Sequence, residues 1–175
     1  MTIQSARLRI STPTEPIAPG RGFYQLEEDA LYVQIGAFAP QHRFFSYLES
    51  EFVSLQFDRN ARLIFIEVTL PRRGWKVDNE LIMPSMAELA DIRWLDFREA
   101  ISEPQLTTNK TQTRLHLQFT HNSPWRSFHI SDNVILQTDD NDHLAAIWID
   151  DIEDDLAGQE IAAFRKQLLR RHQSA

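Results

Sequence analysis

One stretch of this chain occurs twice. Residues 53–68 read V-S-L-Q-F-D-R-N-A-R-L-I-F-I-E-V, and an ungapped slide of 81 residues sets them on V-I-L-Q-T-D-D-N-D-H-L-A-A-I-W-I at 134–149. Val53, Leu55, Gln56, Asp58, Asn60, Leu63 and Ile66 are identical in both copies. Such repetition predicts two like structural units. Val53, Leu55 and Phe57 alternate with Ser54 and Gln56, the two-residue period of a strand with one buried face. Asp58-Arg59-Asn60-Ala61 then supplies residues that bond their own backbone and tolerate a reversal, so each copy reads as a hairpin. With a four-residue loop, Phe57 faces Arg62 and the inward set continues as Ile64, Ile66 and Val68. Leu63 and Phe65 then fall on the opposite face, which calls for a central strand covered on both sides.

With 175 residues and 42% hydrophobic content, the chain is long enough to bury a core without staples. It has no cysteine, which excludes disulfides, thiol catalysis and Cys-held metal and fits a reducing compartment. The N-terminus lacks the apolar core of a signal peptide. The longest apolar run, 144–149, is far short of the roughly 20 residues of a membrane helix. A cytoplasmic protein with no membrane partner is expected. Residues 1–87 carry 9 Lys or Arg against 10 Asp or Glu, and 88–175 carry 9 against 15. That acidic balance disfavours nucleic-acid binding.

In chain order, Ile3, Leu8 and Ile10 suggest a first strand, Thr12 to Gly22 a Pro-rich loop, and Phe23 to Gly36 a strand ending at Gly. The phrase Y-Q-L-E-E-D-A-L-Y-V at 24–33, followed by the Asp58-x-Asn60 hairpin and I-F-I-E-V at 64–68, resembles a family of small, uncharacterised bacterial domains. There a D-A-L-Y-(I/V) strand precedes a D-x-(D/N)-G hairpin. Tyr24, Asp29, Ala30, Leu31, Tyr32, Asp58, Asn60, Leu63, Ile66 and Glu67 match, whereas Ala61 and Phe65 stand where the family has Gly. The resemblance covers about residues 23–71 and implies a β-meander with a packed helix and no established activity. Only its hairpin recurs in the second half, as a divergent tandem duplication would leave it.

Further on, the pattern predicts a short helix over Met83–Ala90 opened by Pro84, a strand at 92–97, and a polar loop at 107–113. Leu115, Leu117 and Phe119 alternate with His116 and Gln118, mirroring Leu31, Val33 and Ile35 at an offset of 84. A strand at 125–130 precedes the second hairpin. Its acidic turn, 139–142, fails as a calcium loop because Leu144 stands in place of the required Gly. The acidic run 150–155 reads as the lead-in to a helix over Leu156–Arg171, with an apolar stripe of Ala157, Ile161, Phe164 and Leu168 and basic residues toward its end.

Chemical signatures are few. The histidines, His42, His116, His121, His129, His143 and His172, lack zinc-site spacing. Nucleophile elbows, P-loops and dinucleotide fingerprints are absent. No metal or cofactor is therefore expected. Pro71 to Lys76 is the sole cluster of basic and aromatic residues, with a conceivable anion contact. What stands out is the face opposite the apolar sets. It carries Tyr32, Gln34, Gln56 and Glu67 in the first unit and His116, Gln118, Gln137 and Trp148 in the second, as a ligand cleft or a subunit contact would. The bland alternative is a solvent-facing or inter-sheet polar layer.

The sequence thus predicts an α+β, mainly antiparallel protein: one compact unit, 1–175, built of two pseudo-repeated meanders, 1–87 and 88–175, with a C-terminal helix on a sheet. The functional expectation is a non-enzymatic binding or protein-interaction module, with a protein partner or homodimerisation through open sheet edges. The alternative is an enzyme with a polar cleft between the repeats.

Overall fold

The computed structural model describes residues 2–36 and 44–173, with side chains inside the C-terminal helix described as far as Lys166. His42 and the side chains of Leu168, Arg170, Arg171 and His172 lie outside that set. The protein is mostly β with one C-terminal helix. In chain order the strands begin with β1 (Thr2–Ile3), β2 (Leu8–Ser11), β3 (Gly20–Gln25), β4 (Ala30–Ile35), β5 (Ser46–Glu49), β6 (Val53–Phe57), β7 (Leu63–Val68) and β8 (Lys76–Val77). They continue as β9 (Asp91–Trp94), β10 (Glu99–Ile101), β11 (Gln105–Thr108), β12 (Leu115–Gln118), β13 (Arg126–Ser131), β14 (Val134–Thr138), β15 (Leu144–Ile149) and β16 (Ile152–Asp155), before α1 (Gln159–Gln173).

These strands form an eight-stranded sheet, β1-β10-β5-β6-β7-β4-β3-β16, a six-stranded sheet, β13-β14-β15-β12-β11-β8, and a ribbon of β2 and β9. Neighbours are antiparallel from β5 to β3 and from β13 to β11. Parallel pairings add β10 and then β1 beyond β5, and set β16 on β3 and β8 on β11. These two strands cross over: β8 follows β7 in the chain yet extends the other sheet, and β16 follows β15 yet extends the first. One apolar core therefore draws on both halves, with Leu31, Leu55 and Ile66 beside Leu115, Leu136 and Ile147. Each such side chain contributes about 1.5–3 kcal/mol.

The hairpins at Asp58 and Asp139 have the same register. Val53 faces Val68 and Gln56 faces Phe65, as Val134 faces Ile149 and Gln137 faces Ala146. In each, one backbone residue, Ile64 or Ala145, is left over as a bulge before Phe57 meets Leu63 and Thr138 meets Leu144. Asp58 Oδ1 accepts from the N–H groups of Asn60 (2.9 Å) and Arg62 (3.0 Å), and Asp139 Oδ1 from those of Asn141 (2.9 Å) and His143 (3.0 Å). Ala61 (φ 60°) and Asp142 (φ 58°) take the left-handed position in the two loops. The expected phase is corrected here. Phe57 faces Leu63 rather than Arg62, because the loop has five residues and the bulge resets the alternation. Leu63 joins Ile66 and Val68 in the main core, while Ile64 and Phe65 turn to the helix side. β7 is nonetheless central and buried on both faces, as its composition demands.

Other differences have equally local causes. Residues 20–36 form a hairpin rather than one strand, reversing where Gln25 Oε1 accepts from Glu28 N–H (2.9 Å) and Asp29 has φ 51°. No helix forms over 83–90. Glu88 instead exchanges backbone bonds with β13, its N–H donating to Ser127 O (2.8 Å) and its carbonyl accepting from His129 N–H (2.9 Å). Tertiary pairing there overrides a weak local preference. The polar stretch at 107–113 supplies the end of β11, and the acidic run supplies β16. Asp155 Oδ2 accepts from Ile161 N–H (3.0 Å) at the start of α1, satisfying one of the free donors of a helix N-terminus.

Candidate functional site

Helix α1 lies on the outer face of the eight-stranded sheet, where Ile161 and Phe164 pack with Phe23, Ala30, Ile64 and Phe65. The Phe164 ring sits 5.4 Å from that of Phe23. Beneath the helix is a cavity of about 130 Å³ lined by Tyr32, Gln56, Phe65, Glu67, Ile161, Phe164 and Arg165. Three of the residues expected from the strand pattern meet there. Tyr32 and Glu67 stand directly opposite across β4 and β7, and Gln56 faces Phe65 from β6. Gln34 lies outside the lining, its Nε2 donating to Gly36 O (3.0 Å).

Most of the polar groups are already engaged. Arg165 donates from both terminal nitrogens to Glu28, at 2.7 and 2.6 Å, and from Nη2 to Tyr32 Oη at 2.6 Å. The Tyr32 hydroxyl donates to Glu28. Its own acidity is suppressed, chiefly by burial and then by that bond to Glu28, so it stays a phenol. Arg165 also lies over the Tyr32 ring, 5.0 Å from the centroid. The hydrogen bonds from Arg165 and Tyr32 hold the Glu28 carboxyl below the usual carboxylate range. Because Arg165 and Glu28 are both partly exposed, their ion pair contributes about 1 kcal/mol at most.

Glu67 differs. Its carboxyl has no hydrogen-bond or ion-pair partner among the described residues, and burial pushes its pKa up despite the nearby Arg165. Gln56, beside it, is likewise without a side-chain partner among those residues. The cavity therefore presents a carboxyl and an amide, set between aromatic rings and a neutralised arginine.

The four residues of the second half occupy matching sheet positions. His116 faces Trp148 across β12 and β15, as Tyr32 faces Glu67, and Gln118 and Gln137 both face Ala146. Two of them are joined by a hydrogen bond, and a third stacks on the pair. The His116 ring stacks on Trp148 at 4.2 Å, Trp148 Nε1 donates to Gln137 Oε1 (2.8 Å), and Gln137 Nε2 donates to Ser127 Oγ (3.1 Å). Burial lowers the His116 pKa and keeps the ring neutral. Gln118 turns aside to Thr120 O (3.1 Å). This group reads as an internal polar layer.

Sequence reasoning missed Glu28 and Arg165. The stripe of α1 announced a packed helix, but no local pattern told which sheet it would cover. Among the described residues, no three His, Asp or Glu side chains gather as a metal site. No helix there is long and apolar enough to cross a membrane. Comparison with known proteins finds no family model that matches this chain and no curated protein similar to it.

Proposed function

We propose that this protein is a non-enzymatic binding module, a doubled β-meander whose helix-covered pocket takes a small neutral ligand presenting an N–H donor beside a carbonyl, as an amide does. The observation that carries the reading is the state of Glu67 in its surroundings. Tyr32, Glu28 and Arg165 hold one another in fixed protonation states, which leaves one carboxyl and one amide to meet a ligand. A lone carboxyl without an activated nucleophile or a second free acid-base group suits recognition better than turnover. At about 130 Å³, the cavity suits a molecule near the size of benzene.

The doubling is supported by the matched strand orders, the shared registers and the like turns of the two sheets. A thermal-shift and calorimetric titration with propionamide tests the pocket. Saturable binding that falls at least tenfold in Gln56→Ala and Glu67→Leu, but not in Gln137→Ala, supports it. Binding indifferent to all three substitutions rejects it.

A second reading, self-association or a protein partner, rests on exposed apolar side chains beside the β13 edge. Met86 is 86% exposed and Trp125 70%, and they flank Glu88 and Arg126, which are ion-paired at 3.0 Å. Sedimentation of the parent and of the Met86→Glu/Trp125→Glu double variant is its test. A parent that is monomeric at high concentration removes the homodimer.

A further inference from the structure

Beside the first hairpin turn, three separate segments bring an exposed ring and two cations together. Phe45 leads into β5, its N–H donating to Phe57 O (2.7 Å), and its side chain is 43% exposed. Arg59 comes from the hairpin turn and Arg98 from the connection between β9 and β10, where Arg98 N–H donates to Tyr47 O. The two guanidiniums lie over the Phe45 ring, 6.0 and 5.3 Å from its centroid. Phe97, next in the chain to Arg98, is 46% exposed.

These two arginines lack an acid. Neither has a carboxylate partner among the described residues. The acids of the neighbouring segment are engaged by other cations, Asp91 by Arg62 (3.3 Å) and Arg93 (3.0 Å), and Asp96 by Arg7 (2.7 Å). The cluster at 71–76, which the sequence marks as basic and aromatic, is neutralised within the fold: Arg72 holds Asp154 (2.6 Å) and Arg73 holds Asp29 (2.9 Å). A guanidinium stacked on a ring keeps its in-plane N–H groups for a carboxylate, which it grips with two parallel bonds. Two such cations beside one ring repel each other until an anion joins them. Arginine and aromatic side chains are also what the energetic centres of protein interfaces are built from.

We propose that this surface docks an extended acidic segment of a partner protein, with two carboxylates two residues apart and an apolar side chain two residues further on. An extended chain sets alternate side chains on one side about 7 Å apart, a spacing that suits two guanidiniums bordering one ring. The carboxylates accept from Arg59 and Arg98, and the apolar side chain covers Phe97. Charge complementarity selects this occupant. With a net charge of -7, the protein repels a long polyanion such as nucleic acid, whereas a segment with two carboxylates meets chiefly the local field. Free phosphate would leave both phenyl rings in water. The surface lies apart from the pocket under α1, whose lining shares none of these residues.

The test is a titration of the ¹⁵N-labelled full chain with the blocked peptide E-S-E-S-W, read at the Nε–H resonances of Arg59 and Arg98, which Arg59→Lys and Arg98→Lys identify. A saturable shift of both is expected. Arg59→Ala and Arg98→Ala, with backbone amide spectra matching the parent, should each weaken binding at least fivefold. The lysine variants should rank between alanine and parent, because an ammonium keeps the charge and loses the planar fork. Q-S-Q-S-W, which lacks the carboxylates, should bind at least tenfold more weakly, and E-S-E-S-S, which lacks the apolar side chain, at least threefold. Arg73→Ser removes an equal charge from the neutralised cluster and leaves the affinity unchanged, as does Glu67→Leu in the pocket under α1. The proposal falls if Q-S-Q-S-W binds as well as E-S-E-S-W, or if Arg73→Ser weakens the peptide as much as Arg59→Ala does. It falls equally if inorganic phosphate or a single-stranded DNA decamer shifts the two resonances at lower concentration than the peptide.

Discussion

The outer faces of the two sheets present side chains at matching positions and use them differently. On the first, a helix covers Tyr32, Gln56 and Glu67, and charged groups converge beneath it. On the second, Trp148 is hydrogen-bonded to Gln137 and His116 stacks on the Trp148 ring, without a charged partner. Like strand pairings thus carry a pocket with a free carboxyl in one sheet and a polar layer in the other. What separates them is the segment after the crossing strand. After β16 the chain forms α1, whereas after β8 it runs on without a helix to bridge β13 through Glu88. A covering element creates a desolvated cavity, and desolvation is what raises the Glu67 pKa.

The largest expected effect tests that covering role. Phe164→Ala should cost about 3–5 kcal/mol in urea unfolding and open the pocket, because a buried ring is removed from the helix contact. A cost below 1 kcal/mol would mean that α1 contributes little to the fold and that the contrast between the faces is superficial. Next, Trp148→Phe should cost about 1–3 kcal/mol, since it leaves Gln137 Oε1 buried and without its donor. An unchanged midpoint would show that the second face is not a closed layer.

Asp58→Ala and Asp139→Ala should each cost about 1–2 kcal/mol, because both remove an acceptor of two turn N–H groups. The comparison is their difference. Matching losses sharpen the equivalence of the turns, and a gap beyond 1 kcal/mol breaks it.

The smallest effects lie in pH dependence, where the two faces should act with opposite sign. Glu67 has a raised pKa in the folded state. Between its unfolded value and that raised value the native state keeps a proton that the unfolded chain has lost, so stability falls as pH rises through this window. Glu67→Gln should remove that slope and raise stability at pH 7. His116 has a lowered folded pKa. Between that value and its unfolded one the unfolded chain holds the extra proton, so stability rises with pH there, and His116→Gln should flatten it. Denaturant midpoints measured across the acid-to-neutral range check both slopes, and slopes of the same sign would contradict the burial assigned to one of the two groups.

The hairpins at Asp58 and Asp139, the central burial of β7 and the terminal helix were all legible in the sequence, for they depend on alternation, turn residues and a helical stripe within short windows. The bulge at Ile64 was not, since it follows from a loop one residue longer than assumed and from which residues the core accepts. Tyr32, Gln56 and Glu67 were legible as a polar face. Their partners Glu28 and Arg165 come from a turn and a distant helix, and carry no local mark of their meeting. Met83–Ala90 has helix-forming residues, yet pairing with β13 is worth more there than intrahelical bonds.

Period-two patterning, turn chemistry and the repeated stretch, all read over a few residues, determined by themselves that this chain makes hairpins and one amphipathic helix. Tertiary structure alone decided that β8 and β16 change sheets, that α1 covers the first sheet, and that Asp58, Trp94 and His129 border a common cavity. Those outcomes depend on contacts between residues tens of positions apart. Long-range contacts are chosen by how whole surfaces fit and desolvate, and local patterning carries no record of that choice.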